Sequence, residues 1–192
     1  GVVGSSYSGV NRIDFSNDTA TSNSRAILAI EGRYLSGVNN KNYGYMSGES
    51  NLGLFNKFNF ANETSTSIGY LVPGTNIGYT GNLSNPNFGY FCGGFPANLS
   101  SVDRISYSND TSIGLPRGPL SLARFGLAAT GTSNFGYNAG GWAPNAVSTI
   151  DRINYSNDNS SALNRNSLLN NAYSLAATGN SNFGYFSTGY VG

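Results

Sequence analysis

The stretch "SNFGY" at Ser133–Tyr137 recurs unchanged at Ser181–Tyr185. Two looser copies precede it, "PNFGY" at Pro86–Tyr90 and "KNYGY" at Lys41–Tyr45. The glycines of this phrase, Gly44, Gly89, Gly136 and Gly184, are 45, 47 and 48 residues apart. A second phrase keeps the same step: "NRIDFSND" from Asn11, "NKFNFANE" from Asn56, "DRISYSND" from Asp103 and "DRINYSND" from Asp151. Its basic residues are Arg12, Lys57, Arg104 and Arg152. A third phrase, "GLAATG" at Gly126–Gly131 and "SLAATG" at Ser174–Gly179, precedes the first and has degenerate counterparts in "AILAIEG" and "NIGYTG". Phrases that hold one register over four copies define four units, approximately 1–50, 51–97, 98–145 and 146–192. A period of 40–50 residues is that of propeller blades or other stacked units.

Within a unit the patterning is that of short strands. In "DRINYS", Asp151, Ile153 and Tyr155 share one face while Arg152, Asn154 and Ser156 share the other. "NFGYF" reads as an aromatic strand, and "SLAATG" as a small-residue strand closed by glycine. "SNDT" reads as a turn, because Asn and Asp bond their own backbone and tolerate the left-handed region. The segment after it has room for a fourth strand, and its prolines, Pro116 and Pro119, suit an edge. A sheet of three or four short strands cannot bury both faces alone. The units are therefore expected to pack face to face, with Phe15, Phe60, Tyr107 and Tyr155 filling the interfaces.

Composition narrows the class. Charged residues are 10% of the chain and the net charge is +1, so neither a basic nucleic-acid footprint nor charge-driven disorder is present. Aromatics at 13% supply a core. The single cysteine, Cys92, excludes an intrachain disulfide and reads as a buried thiol. No apolar run reaches the roughly 18 residues of a membrane helix. The chain opens on Gly1 with no signal peptide in view, as a processed form or the ordered part of something longer would.

The order of signals resembles a kelch repeat. An aromatic strand ends in paired glycines ("GYFCGG", Gly89–Gly94). An apolar-basic-apolar strand and turn follow ("VDRISYSND", Val102–Asp110), then a proline-bearing segment, Arg124 and a small-residue strand. The family's usual tryptophan after the turn is missing, and Trp142 lies after a glycine pair instead. The wording also resembles repeat-bearing structural proteins of tailed phages, especially those of aquatic and cyanobacterial hosts. The resemblance implies an all-β, kelch-like β-propeller of four units and a structural or adhesive role on a virion, as fibre, tail or capsid decoration. Other virion proteins, copies of the chain itself and host-surface glycans are the partners it implies. Neither nucleic acid nor membrane insertion is expected. The alternative is a secreted microbial glycan-binding or filament-forming protein.

Catalytic chemistry is sparsely provided. There is no histidine, so Cys-His and Ser-His-Asp nucleophiles are impossible. Of nine acidic residues, Asp14, Asp103 and Asp151 belong to the repeat strand, and Asp18, Asp110 and Asp158 to the turn. Glu31 and Glu49 are the only acids outside the repeated phrases considered for a carboxylate pair, and nothing in the sequence brings them together. We expect no enzyme activity, cofactor or metal; a polysaccharide depolymerase is the third class weighed. The turn "SNDT" offers Asp and Asn oxygens to calcium, but it lacks the acid count of an EF-hand loop. Arg12, Lys57, Arg104 and Arg152 suggest either a basic ring for anionic glycans or pairing within the repeat.

Binding is expected in the segments that vary between copies, Arg33–Asn42, Phe95–Ser100 and Trp142–Ser148. Trp142, Tyr34 and Phe95 are the candidate binding residues, with Trp142 as the stacking platform or as a wedge between units. Asn17, Asn62 and Asn109, each in an N-x-T triplet at the same turn, are the candidate glycosylation positions.

The ends carry one more expectation. The last aromatic strand has no basic strand after it, and the first basic strand has no aromatic strand before it. Joined, they would complete one unit and close a four-bladed ring. Joined between molecules, they would chain subunits head to tail.

Overall fold

The computed structural model describes residues 7–17, 19, 21–49, 54–71, 77–109, 114–187 and 189–191. Among them the chain is all-β, with one short 3-10 turn at Tyr155–Asn157. The first sheet runs β1 (Tyr7–Arg12), β2 (Asn23–Asn39), β3 (Tyr43–Glu49), β4 (Leu54–Asn59) and β5 (Thr64–Tyr70). The second runs β6 (Gly81–Ser84), β7 (Phe88–Cys92), β8 (Val102–Ser106) and β9 (Leu115–Pro116). In the third, β10 (Ala128–Gly131), β11 (Phe135–Ala139), β13 (Asn145–Asn154) and β14 (Leu163–Tyr173) follow in order; β12 (Trp142–Ala143) pairs with β13. β15 (Ala177–Gly179) and β16 (Gly184–Phe186) make a two-stranded fourth sheet, and β17 (Tyr190–Val191) returns to pair with β14. All pairings are antiparallel.

Three units are thus four-stranded meanders, β2–β5, β6–β9 and β10–β14, with the aromatic phrase on the second strand and the basic phrase on the third; they are the first, second and third structural units, offset from the sequence boundaries, and β15 and β16 belong to the fourth. The register repeats: Tyr45 lies opposite Lys57, Tyr90 opposite Arg104 and Tyr137 opposite Arg152. The hairpin before the aromatic strand is set by one side chain. Asn85 Oδ1 accepts the N–H groups of Asn87 (2.9 Å) and Phe88 (2.8 Å). Asn40 and Asn180 do the same, and Thr132 does so with its hydroxyl. These residues hold the turn by local side-chain bonds to the backbone.

The glycine of the phrase is explained by what lands on it. A Cβ at Gly89 would come 2.5 Å from Val38 of the preceding unit and 2.9 Å from the Tyr107 hydroxyl. At Gly136 the corresponding atoms are Leu83 at 2.3 Å and the Tyr155 hydroxyl at 2.7 Å. The first strand of one unit presses on the second strand of the next, and only a residue without Cβ allows the approach. The first strands pack side by side in the order β2, β6, β10, β15.

The core therefore sits between units. One buried cluster joins Val38, Tyr45 and Phe55 of the first unit to Phe91 and Ile105 of the second. Another joins Leu83, Tyr90 and Val102 of the second to Leu127 and Ile153 of the third. Each fully buried side chain of this size contributes roughly 1.5–3 kcal/mol. The expected aromatics act where a following unit is in place. Tyr107 stacks on Tyr45 (centroids 5.2 Å apart) and Tyr155 on Tyr90 (5.0 Å). Phe15 and Phe60 occupy the same repeat position but are 90% and 46% exposed.

At two repeat positions, Asp151 and Asn56, the residue before the basic residue ties its strand to the incoming linker. Asp151 is fully buried and accepts from Ser121 N (3.0 Å), Ser121 Oγ (2.6 Å) and Arg124 Nη1 (3.0 Å). Arg124 is also fully buried and donates to the carbonyls of Leu122 and Asn138. In the first unit Asn56 does the same work without charge, accepting from Ile30 N (2.9 Å) and donating to Ile30 O (3.0 Å).

Two segments read as irregular are strand. Arg33–Asn39 forms the second half of β2, which serves first as the partner of β1 and then as the first strand of the next unit. No proline interrupts it, so one strand spans both roles. Most of Trp142–Ser148 lies in β12 and β13.

Candidate binding site

An antiparallel meander places alternate connections at opposite ends. The hairpins between first and second strands share one end with the turns between third and fourth strands. The loops after the aromatic strands and the linkers between units share the other. This second end carries a band of half-exposed aromatic rings. Tyr34 stacks on Tyr79 (centroids 4.1 Å, 23°), and Tyr79 contacts Phe125 at 6.0 Å. Phe95 meets Phe125 edge-on at 5.3 Å. Trp142 exchanges backbone hydrogen bonds with Phe125 and sets its ring edge-on to Tyr173 at 5.0 Å. Tyr173 stacks on Tyr190 at 5.3 Å.

Beside the band is a cleft of about 240 Å³ lined by all four units. Tyr34, Tyr79, Gly126 and Ser174 occupy the same place in their repeats, and all have left-handed backbones, with φ of 55°, 56°, 66° and 54°. Each N–H after the first donates to the carbonyl of the preceding member: Tyr79 to Tyr34 (3.3 Å), Gly126 to Tyr79 (2.9 Å) and Ser174 to Gly126 (2.7 Å). A non-glycine residue in this region is uncommon, and three in register mark a position fixed by its neighbours. Burial, and then the neighbouring Tyr34, push the Tyr79 hydroxyl above its ordinary pKa, so it stays a neutral donor. The residues lining the cleft include no carboxylate.

The three candidate binding residues fall in this region. Tyr34 is 40% exposed, while Phe95 and Trp142 are half-buried. Tyr79 and Phe125 link Tyr34 to Phe95, and Trp142 joins them through the Phe125 backbone and carries Tyr173 on its other side; the sequence reading did not single out Tyr79, Phe125 or Tyr173. A signal was available: Tyr79 lies ten residues before its phrase glycine, as Tyr34 does, and Phe125 and Tyr173 lie eleven before theirs. The Trp142 ring is partly exposed, and its backbone is tied to Phe125 in the linker between units.

The other end holds the remaining candidates. Asn17, Asn62 and Asn109 are exposed there. The Oδ1 of Asn17 accepts from Thr19, and that of Asn62 accepts from Thr64. The repeat cations lie over aromatic rings within their own sheets: Lys57 over Tyr43 (4.0 Å), Arg104 over Phe88 (4.1 Å) and Arg152 over Phe135 (4.3 Å). Among the described residues, ion pairs to acids of the following unit are seen for Arg104, which meets Asp158 at 2.8 Å, and Arg12, which meets Glu63 at 2.6 Å. Arg12 and Arg104 are thus paired within the fold.

The acids do structural work. Asp158, 6% exposed, takes the Tyr90 hydroxyl (2.9 Å), Arg104 and Arg117 (3.5 Å). Asp14 closes its turn through Ser16, whose two hydrogen bonds hold its carboxyl below the ordinary pKa. Glu31 is exposed; the Glu49 side chain, Asp18 and Asp110 lie outside the described residues. Among the described residues no three His, Cys, Asp or Glu side chains gather as a metal site would require. No described helix is long and apolar enough to cross a membrane. Cys92 is fully buried, and burial pushes its thiol up to about 12. Comparison with protein-family models and with curated proteins finds no match.

Proposed function

We propose that this chain is a non-enzymatic structural and adhesive protein of a virion, a fibre, tail or capsid decoration, built as a four-bladed kelch-like propeller. Its aromatic end is the contact surface for host glycans. The observation that carries the binding part is the gathering of Tyr34, Phe95 and Trp142 beside the cleft lined by the four repeats. Partly exposed aromatic rings offer flat apolar faces, and the adjoining hydroxyls of Tyr34, Tyr79 and Ser174 offer hydrogen bonds. Sugars need that combination, and Tyr-rich surfaces supply it at low conformational cost. The positions of the acids favour a non-catalytic role, since Asp151 and Asp158 are committed to buried hydrogen bonds. The virion setting rests on the resemblance of the repeat wording.

A glycan array tests the binding part. Wild type should bind a restricted set of surface sugars, and Trp142→Ala or Tyr34→Ala should weaken binding at least about tenfold, the equivalent of one lost stacking contact. No binding by wild type to any sugar would remove the adhesive role. Mass spectrometry of purified particles tests the setting, and recovery only as a free cytosolic monomer would refute it.

A further inference from the structure

We infer that the cleft holds a subsite for one uncharged pyranose ring, seated where the series begun by Tyr34 and Tyr79 is continued by Gly126 and Ser174. This rests on the glycan-binding reading proposed above and names the sugar class and the residues that select it.

The four positions are equivalent in backbone and unequal in side chain. All have φ between 54° and 66°, and each N–H after the first bonds to the carbonyl of the preceding member. Backbones held alike favour the same side-chain directions. In the first two copies those side chains are rings, stacked with centroids 4.1 Å apart and 23° between their planes. A third ring would follow on Tyr79 if residue 126 carried one. Gly126 carries none, and Ser174 carries only a hydroxymethyl group. The left-handed backbone does not require the glycine, because three side chains adopt it in the other copies. Nor does crowding: a Cβ at Gly126 would meet nothing closer than Ser174 N at 3.4 Å. The places of two rings are left open as part of a cleft of about 240 Å³. That is below the volume of a drug-sized pocket and suits a single sugar ring.

The lining suits such a ring. Tyr79 supplies an aromatic ring and Leu127 and Leu175 supply aliphatic surface, against which the C–H groups of a pyranose pack. The hydroxyls of Ser36 and Thr80, 2.6 Å apart, stand in the same lining, and Ser174 adds a third. Each can donate or accept, as the hydroxyls of a sugar also can. None of the described residues that line the cleft is charged. Arg33 lies over the Tyr34 ring at 5.5 Å and is not part of the lining. A carboxylate entering the cleft would give up water with no cation in the lining to replace it. The cleft therefore selects a neutral sugar over a uronic acid.

Saturation-transfer NMR with single methyl glycosides tests this. The probes are the methyl glycosides of glucose, galactose and mannose, with those of glucuronic, galacturonic and mannuronic acid as charged counterparts. Wild type should bind at least one neutral probe, and its uronic counterpart at least about tenfold more weakly. Gly126→Tyr and Ser174→Tyr restore the ring that the first two copies carry. Each should reduce binding of the neutral probe at least about tenfold, with the melting temperature reporting that the fold is kept. Ser174 already holds a side chain on a left-handed backbone, so Ser174→Tyr is decisive if Gly126→Tyr does not fold. The comparison of neutral and uronic probes needs no variant. Uronic probes bound as well as the neutral ones would overturn the inference, and so would wild-type binding by folded Ser174→Tyr. A positive glycan array with no neutral probe bound would overturn this subsite and leave the adhesive reading standing. A blank array would remove both.

Discussion

The ring of Tyr155 lies on the ring of Tyr90 with centroids 5.0 Å apart and 21° between their planes. The two residues belong to successive units, and each does a different polar job. Tyr90 sends its hydroxyl to Asp158 at 2.9 Å. The Tyr155 hydroxyl is buried against Gly136 and has no hydrogen-bond partner among the described residues.

That difference predicts opposite responses to the same change. Tyr155→Phe removes an unsatisfied buried hydroxyl and should leave stability unchanged or raise it. Tyr90→Phe loses a charge-assisted bond and should cost about 1.5–3 kcal/mol. Tyr155→Ala, which removes the stack, should cost about 2–4 kcal/mol. Urea denaturation of the three variants measures this; a larger loss for Tyr155→Phe than for Tyr90→Phe would contradict the assignment.

Gly136→Ala tests the interlock between units. The added Cβ would come 2.3 Å from Leu83 and 2.7 Å from the Tyr155 hydroxyl. Overpacking of this kind costs about 1–3 kcal/mol. Leu83→Ala should recover part of that loss when combined with it, because the two changes share one contact. Gly9→Ala, where a Cβ meets nothing within 4 Å, should be close to neutral. Additive losses for Gly136→Ala and Leu83→Ala would show that the contact is not the reason for the glycine.

The repeat grammar was legible because each copy solves the same packing problem. Asn85 and Asn180 recur to hold a hairpin, and Gly89 and Gly136 recur because a neighbour's side chain lands on them. The aromatic band was less legible. Its members are unequal across copies: the place of Tyr34 and Tyr79 is taken by Gly126 and Ser174 in the later units. Single residues there gave only Tyr34, Phe95 and Trp142, and the contacts between units supplied Tyr79, Phe125 and Tyr173. The continuous β2 was hidden for a different reason. Gly32 and Gly37 look like punctuation, yet both lie inside one strand whose pairing changes partner along its length.

Asp158 and Glu63 form the same contact at different depths. Asp158 is 6% exposed, and its partners Arg104 and Arg117 are half-buried. Removing it strands two cations and the Tyr90 hydroxyl, so Asp158→Ala should cost about 2–4 kcal/mol. In the structure described, the Arg12 side chain opposite Glu63 is 49% exposed and solvent screens the pair. On that geometry alone Glu63→Ala costs under about 1 kcal/mol, and high salt reduces it further. Denaturation at low and high salt separates the two cases. A salt-insensitive loss at Glu63 equal to that at Asp158 would mean that the Glu63 pair is as buried as its counterpart.

The titrating groups that burial perturbs most clearly are all on the alkaline side. Burial raises the pKa of Tyr90, with the Asp158 hydrogen bond adding to the effect, and burial raises Tyr107 and Tyr155. Burial also pushes the Cys92 thiol up to about 12. In the unfolded chain these groups lose their protons near about 8.5 for cysteine and about 10 for tyrosine. Above those values the unfolded state binds fewer protons than the native state, so stability falls as pH rises. Below them the native and unfolded states hold these protons alike, and the contribution is fully present. The chain has no histidine, the side chain whose ordinary pKa lies between pH 6 and 8. Thermal melting should therefore be flat over about pH 6–8, decline from about pH 8.5 as the Cys92 linkage enters, and steepen above about pH 10 as the tyrosines follow. Cys92→Ala should remove the first part of the decline and Tyr155→Phe should reduce the second. A melting temperature that stays level to pH 11, or a loss that begins near pH 6, would contradict this account.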